Sequence, residues 1–229
     1  MSACRRYAIY YVPPPGPLAE LGAAWLGWDL ATGRAVPHLD PEGLPRPLPD
    51  LTRRPRPYGF HATIRPPFAL PPGMAVERLA QTARDICAAQ APVVLDGLAT
   101  ARMGPFVALR PMGDTTASNA LAATVVRALD AFRPALTDAD LVRRRRTRLT
   151  ATQDALLVRW GYPHVMEAFG FHMTLTGPLN DAVAAQTRAA AAALFDAAVP
   201  TPLRIASLAL VGEDDAGRFH LIERLPLWG

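Results

Sequence analysis

One short phrase occurs twice in this chain, and the repetition constrains the fold more than any other feature. The first copy reads Gly-Phe-His-Ala-Thr-Ile at 59–64, and the second reads Gly-Phe-His-Met-Thr-Leu at 170–175. Side chains two apart on a strand face the same way, so the histidine and threonine of each copy would share a face while the apolar residues face the core. The residues presented together would be His61 with Thr63 and His172 with Thr174.

The segments that follow the two copies also match. The sequence predicts a helix from about Met74 to Gln90 after the first copy and one from about Asp181 to Ala198 after the second. Each helix is followed by two strand-like runs separated by a turn. We therefore predict an α+β fold with two pseudo-symmetric lobes, each an antiparallel sheet with flanking helices, around a central cleft that carries both motifs. Residues 1–229 would form a single bilobal domain, with repeat units at about 58–111 and 169–227.

The rest of the chain reads as further helices and connections. Thr150 and Gln153 form the pattern of a capping box, which predicts the start of a helix. Pro37 to Pro57 is dense in proline and charge and reads as a surface loop. The other predicted elements are a strand over 6–12 and helices over about 18–30, 117–132, 138–148 and 151–160.

Composition limits the possible classes of protein. Half of the 229 residues are hydrophobic, which favours a globular chain over a disordered one. No apolar run approaches the ~18 residues of a transmembrane helix, and no secretory signal is recognisable, so a cytoplasmic protein with reduced cysteines is expected. All 24 basic residues are arginine. Without lysine, the chain offers neither a P-loop lysine nor a Schiff base.

The two motifs carry the residue types that acid–base chemistry needs. Histidine titrates near ~6.5, so one imidazole can accept a proton from water while a second, protonated one delivers a proton to a departing oxygen. Threonine hydroxyls can donate hydrogen bonds to phosphoryl oxygens. Hydrolysis of a cyclic phosphodiester needs that set alone, and no histidine spacing in the chain suggests a metal site. No cofactor or metal is therefore expected.

The paired His-x-Thr phrases resemble those of the two-histidine phosphoesterase superfamily, which includes cyclic phosphodiesterases and bacterial RNA 2′-5′ ligases. The stretches YAIYYVPPPG, YGFHATIRPPF, LTDADLVRRRRTRLT and RWGYPHVMEAFGFHMTLTGPL are similar to one branch, proteins encoded beside genes for phosphonate breakdown. The resemblance implies two lobes with the motif strands facing across a cleft. It also implies a bacterial enzyme whose substrate is a phosphate ester of phosphonate use, with a ribose cyclic phosphate as the candidate.

Five further residues are weaker candidates for binding the substrate phosphate. Arg65 lies four positions after the first histidine, on the same face if the strand continues, and Thr176 is its counterpart in the second copy. Tyr10 and Tyr58 could stack on a sugar or a base, although strand aromatics usually belong to the core. Arg143 begins an arginine cluster on a predicted helix, where solvated side chains are the alternative. The candidates are Arg65, Thr176, Tyr58, Tyr10 and Arg143.

Three functions remain open at this point. The first is hydrolysis of a small cyclic phosphate ester by His61 and His172. The second uses the same residues on RNA ends, as a 2′,3′-cyclic phosphodiesterase or a 2′-5′ ligase-like enzyme, but the chain has no RNA-binding motif, so nucleic acid is the less favoured partner. The third is a non-catalytic module that binds a nucleotide or phosphosugar. No membrane partner is expected, and the sequence does not define the oligomeric state.

Overall fold

The computed structural model describes residues 4–229 and shows the predicted α+β class, with antiparallel sheets and seven α-helices among the described residues. The strands are β1 (Tyr7–Tyr11), β2 (Trp28–Asp29), β3 (Arg34–Ala35), β4 (Ala62–Phe68), β5 (Val93–Leu95), β6 (Leu98–Met103), β7 (Phe106–Pro111), β8 (Met173–Thr174), β9 (Leu203–Ile205), β10 (Ser207–Glu213) and β11 (Phe219–Pro226). The helices are α1 (Pro17–Leu26), α2 (Leu48–Thr52), α3 (Val76–Ala88), α4 (Thr116–Ala128), α5 (Asp138–Arg144), α6 (Ala151–Trp160) and α7 (Asp181–Ala198).

A seven-stranded sheet in the order β11-β10-β1-β4-β8-β7-β6 forms the centre of the fold. The two motif strands, β4 and β8, are adjacent in it, so the sheet divides between them into two lobes. Strands β2 and β3 form a separate ribbon, as do β5 and β9. The arrangement brings the two copies of the repeated phrase to the middle of the molecule.

The two sequence repeats exchange their hairpins. The hairpin β6-β7 of the first repeat pairs with β8 of the second, and the hairpin β10-β11 of the second repeat lies in the lobe of β4, separated from it by β1. The helices follow the same pattern, since α3 packs against β10 and β11 and α7 packs against β6 and β7. Each lobe is therefore built from both repeats.

The pairing between the repeats shows the local two-fold symmetry directly. Ala62 of β4 pairs with Met173 of β8, and these residues occupy the same position in the two phrases. Val94 of β5 pairs with Arg204 of β9, again at matching positions. Equivalent residues pair with each other only when a two-fold axis passes between them, so the axis runs through both contacts.

The sheet has one face in the main core. Ala62 and Ile64 of the first motif and Met173 and Leu175 of the second belong to that core and are at most 1% exposed. The main core also contains residues of α1, α3, α4 and α7, which cover this face. The alternation predicted for both motifs is thereby confirmed, and the histidines and threonines lie on the other face.

Three predicted elements have different bounds. The first helix ends at Leu26 rather than near residue 30, because Gly27 adopts a left-handed conformation (φ 77°) and donates its N–H to the carbonyl of Ala23. The segment read as a surface loop contains α2, whose Leu48 and Leu51 are buried.

The helix expected over 138–148 ends at Arg144, since Arg145 leaves it to form two hydrogen bonds with Asp154 of α6, at 2.6 and 2.8 Å. The predicted capping box of Thr150 and Gln153 is present at the start of α6. Among residues 4–229, no helix combines the length and apolar character needed to cross a membrane.

Candidate active site

The register of the motif strands brings the two histidines and two threonines together. In an antiparallel ladder the residues that flank a pair also lie opposite each other. Around the pair of Ala62 and Met173, this places His61 across from Thr174 and His172 across from Thr63. The four side chains therefore form a compact set in which each histidine has a hydroxyl on its own strand and another on the neighbouring strand.

Both histidines are held by the same backbone contact. His61 Nδ1 donates to the carbonyl of Gly59 at 2.9 Å, and His172 Nδ1 donates to the carbonyl of Gly170 at 2.7 Å. A carbonyl can only accept, so these contacts assign the proton of the neutral rings to Nδ1 and leave Nε2 free to accept. Thr63 Oγ1 lies 3.1 Å from His61 Nε2 and donates to it.

A glycine is required at the anchor of the first histidine. Gly59 has φ 71°, and a Cβ at this position would lie 2.5 Å from a side-chain carbon of Leu30. Any other residue would meet both the left-handed backbone and that contact. Gly59 thereby fixes the carbonyl that orients the His61 ring.

The first histidine lies against an aromatic ring. Tyr10 of β1 pairs with Thr63 and is fully buried, and its ring stacks on the His61 ring with centroids 3.7 Å apart and planes 20° apart. Its hydroxyl is buried without a hydrogen-bond partner among residues 4–229. Tyr10 thus contacts His61 rather than facing a substrate.

The second histidine has different neighbours. Ala108 of β7 pairs with Thr174, where the first lobe has Tyr10, and the register continues to place Arg110 opposite His172. The ring of Phe106 lies 5.9 Å from the His172 ring, tilted by 44°. The two halves of the site are therefore similar in backbone and different in chemistry.

The surroundings shift both histidines in the same direction. Burial lowers the pKa of His61 to about 4; the Gly59 carbonyl opposes this shift and the charge of His172 adds to it. Burial is also the main cause that lowers the pKa of His172, opposed by the Gly170 carbonyl and supported by the charges of Arg110 and His164. Both rings are therefore neutral at pH 7 when no ligand is bound.

Arg65 lies on the opposite side of the sheet from the histidines. Thr63 pairs with Tyr10, whereas Arg65 pairs with the preceding residue of β1, so β4 contains one extra residue between the two pairs. Neighbours on β1 face opposite sides, and Arg65 and Thr63 therefore do so as well. Arg65 is 2% exposed and donates to the carbonyl of Val126 at 3.2 Å. The prediction that it shares the histidine face is wrong because of this β-bulge.

Thr176 is also occupied within the protein. It is 1% exposed; its hydroxyl accepts from the N–H of Val107 at 3.0 Å and donates to the carbonyl of Gly177 at 2.9 Å. The hydroxyl has a single proton, so no donor remains for a phosphate. Thr176 connects the end of the second motif to β7.

The two remaining candidates differ in position. Tyr58 is partly exposed, stacks on Phe219 with centroids 5.2 Å apart, and lies 6.4 Å from the His61 ring, so it borders the site. Arg143 has a side chain that is 63% exposed and forms a salt bridge with Asp140 at 2.5 Å. Arg143 points into solvent and does not join the histidines.

Sequence reasoning missed several residues around the site. Arg110 is one, and the alternation along β7 would have indicated its face once β7 was paired with β8. Tyr162 is another: its ring is in edge contact with that of His164, with centroids 5.7 Å apart, and the charge of His164 acts on His172. No local pattern marks these residues, because tertiary folding alone brings them to the cleft.

Within the described part of the chain, no group of three or more His, Cys, Asp or Glu side chains is arranged to hold a metal ion. A cavity of about 220 Å³ lies between α1 and the loop after β1, lined by Val12, Ala23, Trp28, Phe60 and Arg224 among others. Its lining includes neither motif histidine, so it is separate from the cleft.

The chain matches a known family. Residues 63–220 match the family described as "Protein of unknown function (DUF1045)", and the chain belongs to this family. The matched region begins at Thr63, so it contains β4 except its first residue, all of β8 and the second histidine, while His61 lies just before it.

Two curated relatives share the name "Ribose 1,5-bisphosphate phosphokinase PhnN". The one from Janthinobacterium sp. (strain Marseille) is 41% identical over 231 residues, covering 98% of this chain and 51% of the relative. The one from Laribacter hongkongensis (strain HLHK9) is 38% identical over 221 residues, covering 96% and 51%. The chain therefore spans about half the length of the curated relatives it matches.

Solved structures with a similar overall arrangement include E. coli LigT complexed with NADP+, with a TM-score of 0.48, 14% identity and full coverage of both chains. TT0787 of Thermus thermophilus has a TM-score of 0.47 and 13% identity, with 98% of each chain covered. Similarity at this level adds nothing to the assignment of function, which has to rest on the site.

Proposed function

We propose that this chain hydrolyses a cyclic phosphodiester, with His61 as general base and His172 as general acid. The observation that carries the proposal is the convergence of two imidazoles across one antiparallel strand pair, each with Nδ1 held by a backbone carbonyl and Nε2 left as the acceptor. An acid and a base on either side of a small ester is what ring opening by water requires.

The roles follow from the different surroundings of the two rings. His61 stacks on a buried ring, accepts a hydrogen bond at Nε2 and strongly favours its neutral form, which suits a base. His172 has small and charged neighbours across the strand, and its pKa is less strongly lowered. A bound phosphate anion beside it would raise its pKa and supply the protonated form that an acid needs.

The two histidines and two threonines account for every proton transfer in the proposed reaction. His61 Nε2 accepts a proton from a water molecule as the water oxygen forms a bond to phosphorus. The bond between phosphorus and one ring oxygen breaks, and the leaving alkoxide takes the proton of His172 Nε2. When the substrate binds, the Thr63 hydroxyl turns from His61 Nε2 to a non-bridging oxygen, so that Nε2 accepts from the water instead, and Thr174 donates to the other non-bridging oxygen, where negative charge increases. The product is a phosphate monoester.

A ribose cyclic phosphate is the substrate class that we propose. The name of the two curated relatives refers to a phosphorylated ribose, and the motif resemblance points to phosphonate breakdown. We do not extend the kinase reaction in that name to this chain, because the chain contains no lysine for a P-loop and spans only half of those proteins.

Turnover of a small panel tests the proposal. The panel contains a ribose 1,2-cyclic phosphate, a 2′,3′-cyclic nucleotide and a 2′-5′ dinucleotide, each with EDTA present. We expect the wild type to release a monoester from the ribose ester, and His61→Ala and His172→Ala to lose at least about 10³-fold in kcat, since the two residues supply most of the acid–base catalysis.

His38→Ala is the matched control, because His38 also contacts a backbone carbonyl through Nδ1, that of Trp25 at 3.1 Å, but lies outside both motifs. It should keep wild-type turnover. Preference for the nucleotide or the dinucleotide would indicate the RNA-end function instead. Ligand binding without turnover, unchanged in both histidine variants, would indicate a binding module and refute the catalytic proposal.

A further inference from the structure

Strand register places a positive charge beside the second motif histidine. Ala108 of β7 pairs with Thr174 of β8, so Arg110, two residues further along the ladder, lies opposite His172. Directly opposed side chains of an antiparallel pair share one face of the sheet, with Cβ atoms about 4.5–5.5 Å apart. The Arg110 side chain therefore starts next to His172, on the face that carries both histidines.

The neighbours of Arg110 on this face are small. Ala99 of β6 pairs with Arg110 on the side away from β8, and Ala108 precedes it by two residues on its own strand. Arg110 is exposed, so neither alanine covers its guanidinium. Because Ala108 lies opposite Thr174, a long side chain from Arg110 can extend over Ala108 to the space in front of the Thr174 hydroxyl and the His172 ring.

Arg110 has no anionic partner in the described part of the protein. It forms neither a hydrogen bond nor a salt bridge with any residue of 4–229. The other arginine of the same hairpin, Arg102, donates to Asp181 at 2.6 Å. Arg102 pairs with Val107, the neighbour of Ala108, and so points to the opposite face. The hairpin thus has one arginine held by a carboxylate and one that is free on the histidine face.

The corresponding position beside the first histidine is apolar. The register of β1 and β4, continued by one residue, places Val12 opposite His61. Val12 is 4% exposed and belongs to a small apolar cluster with Tyr10. The proposed base therefore has a buried valine where the proposed acid, His172, has the free charge of Arg110.

An unpaired cation next to His172 makes the protonated acid less favourable until an anion arrives. Burial is the main cause that lowers the pKa of His172, and the charge of Arg110 adds to this shift. The other titratable groups that act on His172 are His164, after α6, and His61, across the strand pair. A phosphate bound between Arg110 and His172 would pair with the guanidinium and raise the pKa of the imidazole.

We propose that Arg110 binds the reacting phosphate group of the substrate, on the side of His172. The planar guanidinium can donate two hydrogen bonds to phosphate oxygens and pairs with the negative charge of a cyclic phosphodiester. With both motif histidines neutral, the four motif side chains offer hydrogen bonds but no positive charge. This inference rests on the proposed function and adds to it a cation that binds the substrate and links its arrival to protonation of the acid.

The test compares the wild type, Arg110→Gln, Arg110→Lys and Arg102→Gln on a ribose 1,2-cyclic phosphate across pH. Arg110→Gln should lower kcat/KM by about tenfold to a hundredfold, the effect of one charged hydrogen-bonding group. It should also move the basic limb of kcat/KM to higher pH, because the charge that lowers the pKa of His172 is gone. Arg110→Lys keeps the charge and should keep the basic limb in place. Arg102→Gln, the control on the same hairpin, should match the wild type in both respects.

A value of kcat/KM within about threefold of wild type in Arg110→Gln would overturn the inference while leaving the proposed function intact. A loss of kcat/KM with the basic limb unmoved would also overturn it, since a merely structural role predicts that result.

An NMR titration of the His172 ring decides the inference even if the ester is not hydrolysed and the proposed function fails. Inorganic phosphate, compared with chloride at equal ionic strength, should raise the pKa of His172 in the wild type. Arg110→Gln should show a higher pKa of His172 without phosphate and weaker binding of inorganic phosphate, whereas Arg102→Gln should titrate as the wild type does. Identical titrations of the wild type and Arg110→Gln, with and without phosphate, would refute a phosphate site at Arg110.

Discussion

His61 and His172 share a backbone anchor and differ in what lies across the strand from them. The first is stacked on Tyr10, and the second has Ala108 and Arg110 in the corresponding positions. The two copies of the motif therefore have different surroundings. The environment of His61 excludes charge, whereas that of His172 can receive an anion. The division between base and acid that we propose is a property of these neighbours rather than of the motif.

The pH dependence of the reaction should show this division. With His61 titrating at about 4 and His172 below 6.5, the free protein holds the active combination of neutral base and protonated acid only between these two pKa values. We therefore expect kcat/KM to be greatest in that window and to fall as pH rises through the pKa of His172. Bound phosphate raises that pKa, so the basic limb of kcat should lie at higher pH than that of kcat/KM.

Steady-state kinetics from about pH 4 to about pH 9 would measure both profiles across the range in which histidines titrate. His172→Ala should remove the basic limb from the residual activity, whereas His38→Ala should keep it. Basic limbs of kcat and kcat/KM at the same pH would contradict a histidine whose proton is held by the substrate.

Thr63 should contribute to catalysis more than to stability. Thr63→Val keeps the shape of the side chain but removes the hydroxyl that donates to His61 Nε2 in the free protein and that we propose donates to the phosphoryl oxygen once the substrate is bound. Loss of one transition-state donor lowers kcat by about 100-fold, and we expect a similar loss for Thr174→Val. Thr147→Val, at an exposed position, is the control. A change in kcat below about threefold in both motif variants would remove the threonines from the mechanism.

At the scale of the elements, the local sequence predicted the two motif strands and the start of the capped helix α6. The alternation in both phrases predicted which residues enter the core, and Ile64 and Leu175 do so. The start of α6 followed from Thr150 and Gln153. Gly27 offered a signal for the end of α1, but the apolar residues after it obscured this signal.

Other features depend on pairing partners that no local pattern reveals. Arg65 faces away from the histidines because β1 is inserted beside β4 with a bulge. The Thr176 hydroxyl does not face the site, because it accepts a hydrogen bond from the N–H of Val107 in β7. The end of α5 at Arg144 depends on the ion pair that Arg145 forms with Asp154 of α6. These features depend on tertiary contacts. The local sequence around each residue does not show which distant residues will pack against it.

The capping box of α6 should contribute measurably to stability. Thr150→Ala removes the hydroxyl that accepts from the N–H of Gln153 and should lower the free energy of unfolding by about 1 kcal/mol. Thr147→Ala, three residues earlier and without a hydrogen-bond partner in the described chain, should change it by less than about 0.5 kcal/mol. Urea unfolding of both variants measures the difference. Equal stability of the two variants would show that the box contributes nothing.

At the scale of the molecule, the exchange of hairpins ties the two lobes together. Helix α3 packs on strands of the second repeat, and α7 packs on strands of the first. Trp25 of α1 donates to the carbonyl of Leu175 at 2.9 Å and packs edge-on against Phe195 of α7. Each lobe takes part of its core from both repeats, so the division of the chain into one bilobal domain stays a prediction that an unfolding experiment can test.

We therefore expect the two lobes to unfold together. Circular dichroism and tryptophan fluorescence should give coincident urea transitions with one midpoint. Phe195→Ala, which leaves a large cavity at a position of 0% exposure, should move both signals by the same amount. Two separated transitions, or a shift in only one signal, would show that the lobes fold independently.

The assignment of base and acid is the central claim, and the leaving group tests it most directly. A ribose cyclic phosphate whose leaving ring oxygen is replaced by sulfur expels a thiolate, which needs no proton from an acid. His172→Ala should then regain most of the activity that it loses on the oxygen ester, whereas His61→Ala should remain inactive on both. Recovery by His61→Ala instead would reverse the two roles, and equal loss in both variants on both esters would contradict a division of labour between the histidines.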